Sequence, residues 1–127
     1  MRNRSTFDYA VLRLVPRVEL EEFFNVGVIL SCPAFKFLDV KIAVNESLMR
    51  CFDPDLQLDA VMEYLDVIPK ICSGDESAGP IAQLTQRERF YWLTAQRSTI
   101  IQSSPVHTGL TEDPATTLAH LFSKYVR

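Results

Sequence analysis

The densest run of side chains able to hold an anion lies between residues 97 and 108. Arg97, Ser98, Thr99, Gln102, Ser103, Ser104, His107 and Thr108 fall in that one stretch. A guanidinium, hydroxyls and the backbone N–H groups of a turn are what a phosphate needs. An imidazole, as a class, can also exchange a proton near neutrality. Arg97, Ser98, Thr99 and His107 are therefore the anion-binding candidates, with Arg13 in support. Serine and threonine also populate turns by bonding their own backbone, and that structural reading is the stronger of the two. On a strand, Arg97 and Thr99 would share a face and Ser98 would not.

A second constellation is Arg13, Glu22 and Asn25. If the two segments that carry them pair, Arg13 and Glu22 meet near one end of a sheet. A buried arginine needs a carboxylate partner, so an ion pair that ties the hairpin is expected ahead of a catalytic carboxylate. Asn25 is expected to satisfy backbone groups beside Gly27. No nucleophile with an orienting partner stands next to His107, and His120 falls on the polar face of a helical pattern. The sequence has two histidines without His-x-x-x-His spacing, and three cysteines, Cys32, Cys51 and Cys72, without a Cys-x-x-Cys pair. No metal site or cofactor is expected from these, and the cysteines read as buried thiols. Walker A, dinucleotide-binding and nucleophile-elbow motifs are missing from the sequence, which leaves enzymatic activity undecided.

These residues must be positioned by elements that the apolar pattern marks out. Residues 7–15 alternate with both faces apolar: Phe7, Tyr9, Val11 and Val15 on one, Ala10, Leu12 and Leu14 on the other. Such a strand is expected to be central and covered on both sides. Residues 23–30 form a second strand in which Gly27 signals a bulge or a close backbone approach, and 37–44 a half-wet third. Short links make the set antiparallel. Asn45 caps a short helix ending near Phe52, with Val44 stapling to Met49. Asp53-Pro54 is read as the start of a longer helix through Cys72, which Pro69 should kink or stop. Thr85 and Glu88 form a capping box for a helix through Phe90 and Trp92. Residues 98–102 read as a fourth strand, 103–111 as a loop, and Asp113-Pro114 as the start of a last helix lined by Leu118, Leu121, Phe122 and Tyr125.

The expected fold is thus α+β, a mainly antiparallel sheet of about four strands in β-β-β-α-α-α-β-α order, with helices packed on one face. With 127 residues it is expected to be a single domain, 1–127. The formal net charge is −3, and the 13 Lys and Arg are spread along the chain; a nucleic-acid partner is not expected. No apolar run reaches membrane-spanning length and no signal peptide is read, which makes the cytoplasm the expected location. Homo-oligomerisation is left open.

Two stretches carry a resemblance. One is Tyr9 to Pro16 followed by Glu22-Phe-Phe-Asn-Val-Gly-Val-Ile-Leu30. The other runs from Arg87 to Leu110, with Phe90-Tyr-Trp-Leu-Thr94, Arg97-Ser-Thr99 and Ser104-Pro-Val-His-Thr-Gly109. Together with the closing helix, they resemble a bacterial family, domain of unknown function 3037. The resemblance implies an association with HipA-like kinases encoded nearby, and hence an accessory or protein-interaction role. Phe90, Tyr91 and Trp92 could supply contact area, although such residues are more often core; a solvent-exposed Trp92 would favour that role. The competing reading is a small enzyme or ligand-binding domain for a phosphorylated or nucleotide-like molecule. It requires Arg13, Arg97, Ser98, Thr99 and His107 to line one pocket, and so the end of the first strand and the 97–108 segment to converge.

Overall fold

A computed structural model describes residues 4–16, 22–95 and 100–126. The first three strands, β1 (Ser5–Leu14), β2 (Phe24–Cys32) and β3 (Phe37–Ile42), form an antiparallel meander. Helices α1 (Glu46–Phe52), α2 (Leu58–Ser73) and α3 (Gln86–Leu93) follow, then strands β4 (Ile101–Ser103) and β5 (His107–Thr111), and last helix α4 (Pro114–Tyr125). The sheet is five-stranded and antiparallel. β1 lies between β2 on one side and both β4 and β5 on the other. The fold is α+β with a central first strand, as its two apolar faces require.

The placement of the helices differs from the expectation. The helices do not share a face. Ala10, Leu12 and Leu14 of β1 pack with Ile29, Val40, Met49, Val61, Leu65, Phe90 and Leu93, so α1, α2 and α3 cover that side. Phe7, Val28, Leu30 and Cys32 pack on the opposite side with Leu118 and Leu121 of α4. The reason is the pattern of β2 as well as β1: every residue from Val26 to Cys32 is buried. A sheet apolar on both faces must be covered on both, since each fully buried aliphatic or aromatic side chain contributes about 1.5–3 kcal/mol. Among the described residues, no helix is long and apolar enough to cross a membrane.

Two irregularities shape the sheet. The β1–β2 register shifts between Leu12↔Gly27 and Arg13↔Asn25, leaving Val26 as the extra residue of a bulge. A Cβ on Gly27 would fall 2.7 Å from the backbone oxygen of Lys41, so glycine lets β3 approach. On the other side of β1, Ser104, Pro105 and Val106 stand against Ala10 and Val11, between Leu12↔Ser103 and Tyr9↔His107. This second bulge accommodates a proline, which cannot donate to the ladder.

Local signals in the sequence account for most helix ends. Asn45 accepts a hydrogen bond from the Leu48 N–H, and Asp113 from the Thr116 N–H. Thr85 and Glu88 form the reciprocal capping box. Asp53-Pro54 does not start α2. Asp53 closes α1, and its carboxylate accepts from the Asp55 N–H at 3.1 Å, a turn that the same residue pair supports equally well. Pro69 does not stop α2, which runs on to Ser73 and ends at Gly74 in the left-handed conformation. Arg89 secures that end: its Nη1 donates to the carbonyls of Ile71 (3.0 Å) and Cys72 (2.6 Å), a cation against the negative pole of a helix. The stretch 103–111, expected as a loop, contains β5. Its strand residues show no apolar alternation, because they form a sheet edge with largely exposed side chains.

Candidate functional site

Helix α3 explains where apolar surface is left over. It carries four consecutive apolar residues, Phe90 to Leu93, but a helix turns 100° per residue and can bury only part of such a run. Phe90 and Leu93, three apart, enter the core at 7% and 8% exposure. Tyr91 and Trp92 are left outside at 72% and 38%, and Tyr64 on α2 is 63% exposed. The helix is firmly seated: Gln86 donates to the Ser31 hydroxyl at 3.1 Å and to the Phe37 carbonyl at 2.8 Å. The aromatics are therefore presented on a fixed support.

Two hollows flank the end of α3, and Ala95 lines both. One, of about 940 Å³, lies over the sheet beside Asp8 and Ser31 and is walled by Gln86, Arg87, Tyr91, Thr94 and Val106. The other, of about 250 Å³, lies between α2 and β4. It is lined mainly by apolar groups: Tyr64, Val67, Ile68, Trp92, Leu93, Ile100 and Ile101, with Gln102 and Ser103 at its polar side. The surface formed by Tyr64, Tyr91, Trp92 and these hollows is the candidate site.

Among the described residues, the polar side chains singled out from the sequence do not gather in one hollow. Arg97, Ser98 and Thr99 lie outside the described residues. Ser103 and Ser104 are buried and bonded to backbone. The Ser104 hydroxyl accepts from the Val11 N–H at 2.8 Å and donates to the Pro105 carbonyl at 2.9 Å, and the Ser103 hydroxyl donates to the Ser104 carbonyl at 2.8 Å. Thr108 donates to the Asp8 carboxylate at 2.6 Å. His107 is exposed on β5 opposite Tyr9, with ring centroids 5.3 Å apart.

Arg13 has a different neighbour from the one expected. Its guanidinium carbon lies 4.3 Å from the centroid of the Phe23 ring, and among the described residues no ion pair joins it to Glu22, which is exposed. Among the described residues its buried Nε has no hydrogen-bond partner. The cation is held on an aromatic face, an arrangement worth about 0.5–2 kcal/mol depending on desolvation. Asn25, Arg13's partner across the β1–β2 ladder, donates to the Tyr125 carbonyl at 3.1 Å and so fastens the end of α4 to β2. His107 pairs with Tyr9, four residues from Arg13 along β1, or about 13 Å at strand rise. Neither Arg13 nor His107 lines the hollows beside α3.

The titrating groups that depart from their ordinary values are also structural. Tyr9 is pushed up to about 12, first by its hydrogen bond with the Tyr125 hydroxyl at 3.2 Å and then by burial. Burial, and secondarily the charge of Asp39, pushes the Cys72 thiol up to about 12. Hydrogen bonds to Ser77 and Thr116 hold Asp75 and Asp113 below the usual carboxylate range. Among the described residues, no three His, Cys, Asp or Glu side chains gather in a way that could hold a metal ion.

Residues 9–126 match the family described as "Protein of unknown function (DUF3037)". The chain belongs to that family. No curated protein and no solved structure matches it. The match takes in β1 from Tyr9, the four helices described and the edge strands β4 and β5, so the exposed aromatics of α2 and α3 lie within the DUF3037 region. Sequence reasoning named Trp92 and Tyr91 as potential contacts but missed Tyr64. Its signal was present: Tyr64 interrupts the apolar i, i+3, i+4 series Val61, Leu65, Ile68 on the solvent side.

Proposed function

We propose that this DUF3037 domain is a protein-interaction module. It docks a partner on the outer face of α3 and the adjoining face of α2. The partner implied by the family resemblance is a HipA-like kinase encoded nearby, in a bacterial cytoplasmic setting. The observation that carries this reading is the exposure of Tyr64, Tyr91 and Trp92 beside two hollows. Tyrosine and tryptophan supply large contact area at low conformational cost, and they dominate binding energy where they fill a partner's pockets.

Co-expression with the neighbouring kinase-like protein, followed by size-exclusion chromatography with light scattering, tests the proposal. A stable complex is expected. Tyr64→Ala together with Tyr91→Ala should weaken it by at least about 30-fold, the equivalent of one residue worth 2 kcal/mol. Failure to form a complex, or one indifferent to both substitutions, would overturn the assignment. The second reading, a ligand-binding domain for a phosphorylated or nucleotide-like molecule, requires Arg13, Arg97, Ser98, Thr99 and His107 to line one pocket. Arg13 stands beside Gln102 of β4, but His107 lies four residues away along β1 and each has its own aromatic neighbour, which makes this reading the weaker of the two.

A further inference from the structure

The sheet has two edges, and they are built differently. Ala43 N–H donates to the Val26 carbonyl at 2.8 Å. Bonded and non-bonded pairs alternate along an antiparallel ladder, so in β3 the backbone groups of Leu38, Val40 and Ile42 point away from β2. The outward N–H of Val40 is occupied by the Asp39 carboxylate at 2.8 Å, and Lys36 and Lys41 add charge to this edge. Charge and a self-capped donor are the usual protections of an edge strand.

The β5 edge has no such protection among the described residues. Ser104 N–H donates to the Val11 carbonyl at 2.8 Å, and Val15 N–H to the Ile100 carbonyl at 2.7 Å. The odd residues of β1 therefore face β4 and β5, which leaves the backbone groups of Thr108 and Leu110 directed outward. From Ile101 to Thr111 the sequence has no Asp, Glu, Lys or Arg. Two apolar side chains stand exposed there, Val106 at 44% and Leu110 at 62%.

We propose that β5 pairs antiparallel with the β5 strand of a second copy of this chain, making one continuous sheet across a twofold axis. The edge is complementary to itself. With Thr108 opposite its own counterpart, the outward groups of the two threonines bond to each other. Leu110 then lies across from Val106 of the other copy, and the pair occurs twice, as an isologous interface requires. The same register sets His107 against Gly109, where no side chain obstructs it. No like charges meet. Because the β3 edge is capped and charged, pairing through β5 closes at two copies instead of growing into a ribbon.

The test is the solution mass of the full chain across a concentration series, by light scattering or sedimentation equilibrium. The wild type is expected to move to twice the chain mass. Leu110→Lys and Val106→Lys, both at exposed positions, are expected to weaken association at least ten-fold while keeping the wild-type circular dichroism. Arg50→Ala, exposed on α1 and outside the edge, should leave it unchanged. Thr108→Cys should form a disulfide with its counterpart on oxidation, in a Cys51→Ser background because Cys51 is an exposed free thiol. A wild type that stays at the mass of one chain at every concentration would overturn the proposal. So would a dimer that survives both lysine variants, or one that never crosslinks through position 108.

Discussion

Replacing Ser104 with alanine should cost the fold, because this hydroxyl holds a bulge together. Ser104 is 3% exposed and Val11 5%. The hydroxyl oxygen, 2.8 Å from the Val11 nitrogen, accepts that buried N–H. In the alanine variant the N–H keeps its desolvation without its acceptor, a loss of about 1–3 kcal/mol. For a chain of this length, 1 kcal/mol lowers the melting temperature by about 4 °C, so a decrease of roughly 4–12 °C is expected. Urea unfolding should show a lower midpoint at unchanged m-value. Ser103→Ala is the internal control. It removes only a donor to the Ser104 carbonyl and should cost about 0.5–1 kcal/mol. If Ser104→Ala leaves the midpoint within about 0.5 kcal/mol of wild type, the hydroxyl is not holding the bulge, and its place in an anion site must be reopened.

Other outcomes follow from the same contacts. Thr85→Ala, which dismantles the capping box of α3, should cost about 1 kcal/mol in the urea midpoint. Gly109→Ala would bring a Cβ within 2.8 Å of the Phe7 ring; Phe7 is buried, so about 1–3 kcal/mol of stability should be lost in thermal unfolding. Pro69→Ala restores an N–H to an exposed position inside α2 and should raise stability by about 1–3 kcal/mol. In a thiol-labelling experiment Cys51 should react quickly, and Cys32 and Cys72 only on unfolding. The Cys72 thiol, raised from 9.0 to about 12 in the folded chain, binds its proton more tightly when folded than when unfolded. Its contribution is complete below pH 9 and falls as the pH rises towards 12. Stability should therefore decline over that alkaline window, and less so in Cys72→Ala.

The central strand, the meander and the caps at Asn45, Thr85 and Asp113 were legible because each rests on a local rule: alternation, short links, or an acceptor one turn before the helix. The helix on the second face follows from the same alternation. Phe7 and Tyr9 on β1, with Val28 and Leu30 on β2, form an apolar face that only α4 remains to cover. β5 was hidden because its residues, His107 to Thr111, gain their strand state from pairing with β1 and not from their own pattern. The Arg13 contact was misread because a carboxylate nearby in sequence was expected to outcompete an aromatic ring; Phe23, adjacent to Glu22, lies under the guanidinium instead. For the site, the sequence named the aromatic cluster on α3, but which members face outward depends on how the helix docks. Gln86 bonded to Ser31 and Phe37 fixes that rotation, a contact between residues far apart in sequence.

The most direct test of the interaction surface is amide hydrogen exchange on the domain with and without the HipA-like kinase proposed as its partner. If the partner docks there, added protection is expected in α2 around Tyr64 and in α3 around Tyr91 and Trp92, with β3 unchanged. Protection confined to β3 or α4, or no change anywhere when the two proteins are mixed at saturating concentration, would contradict it.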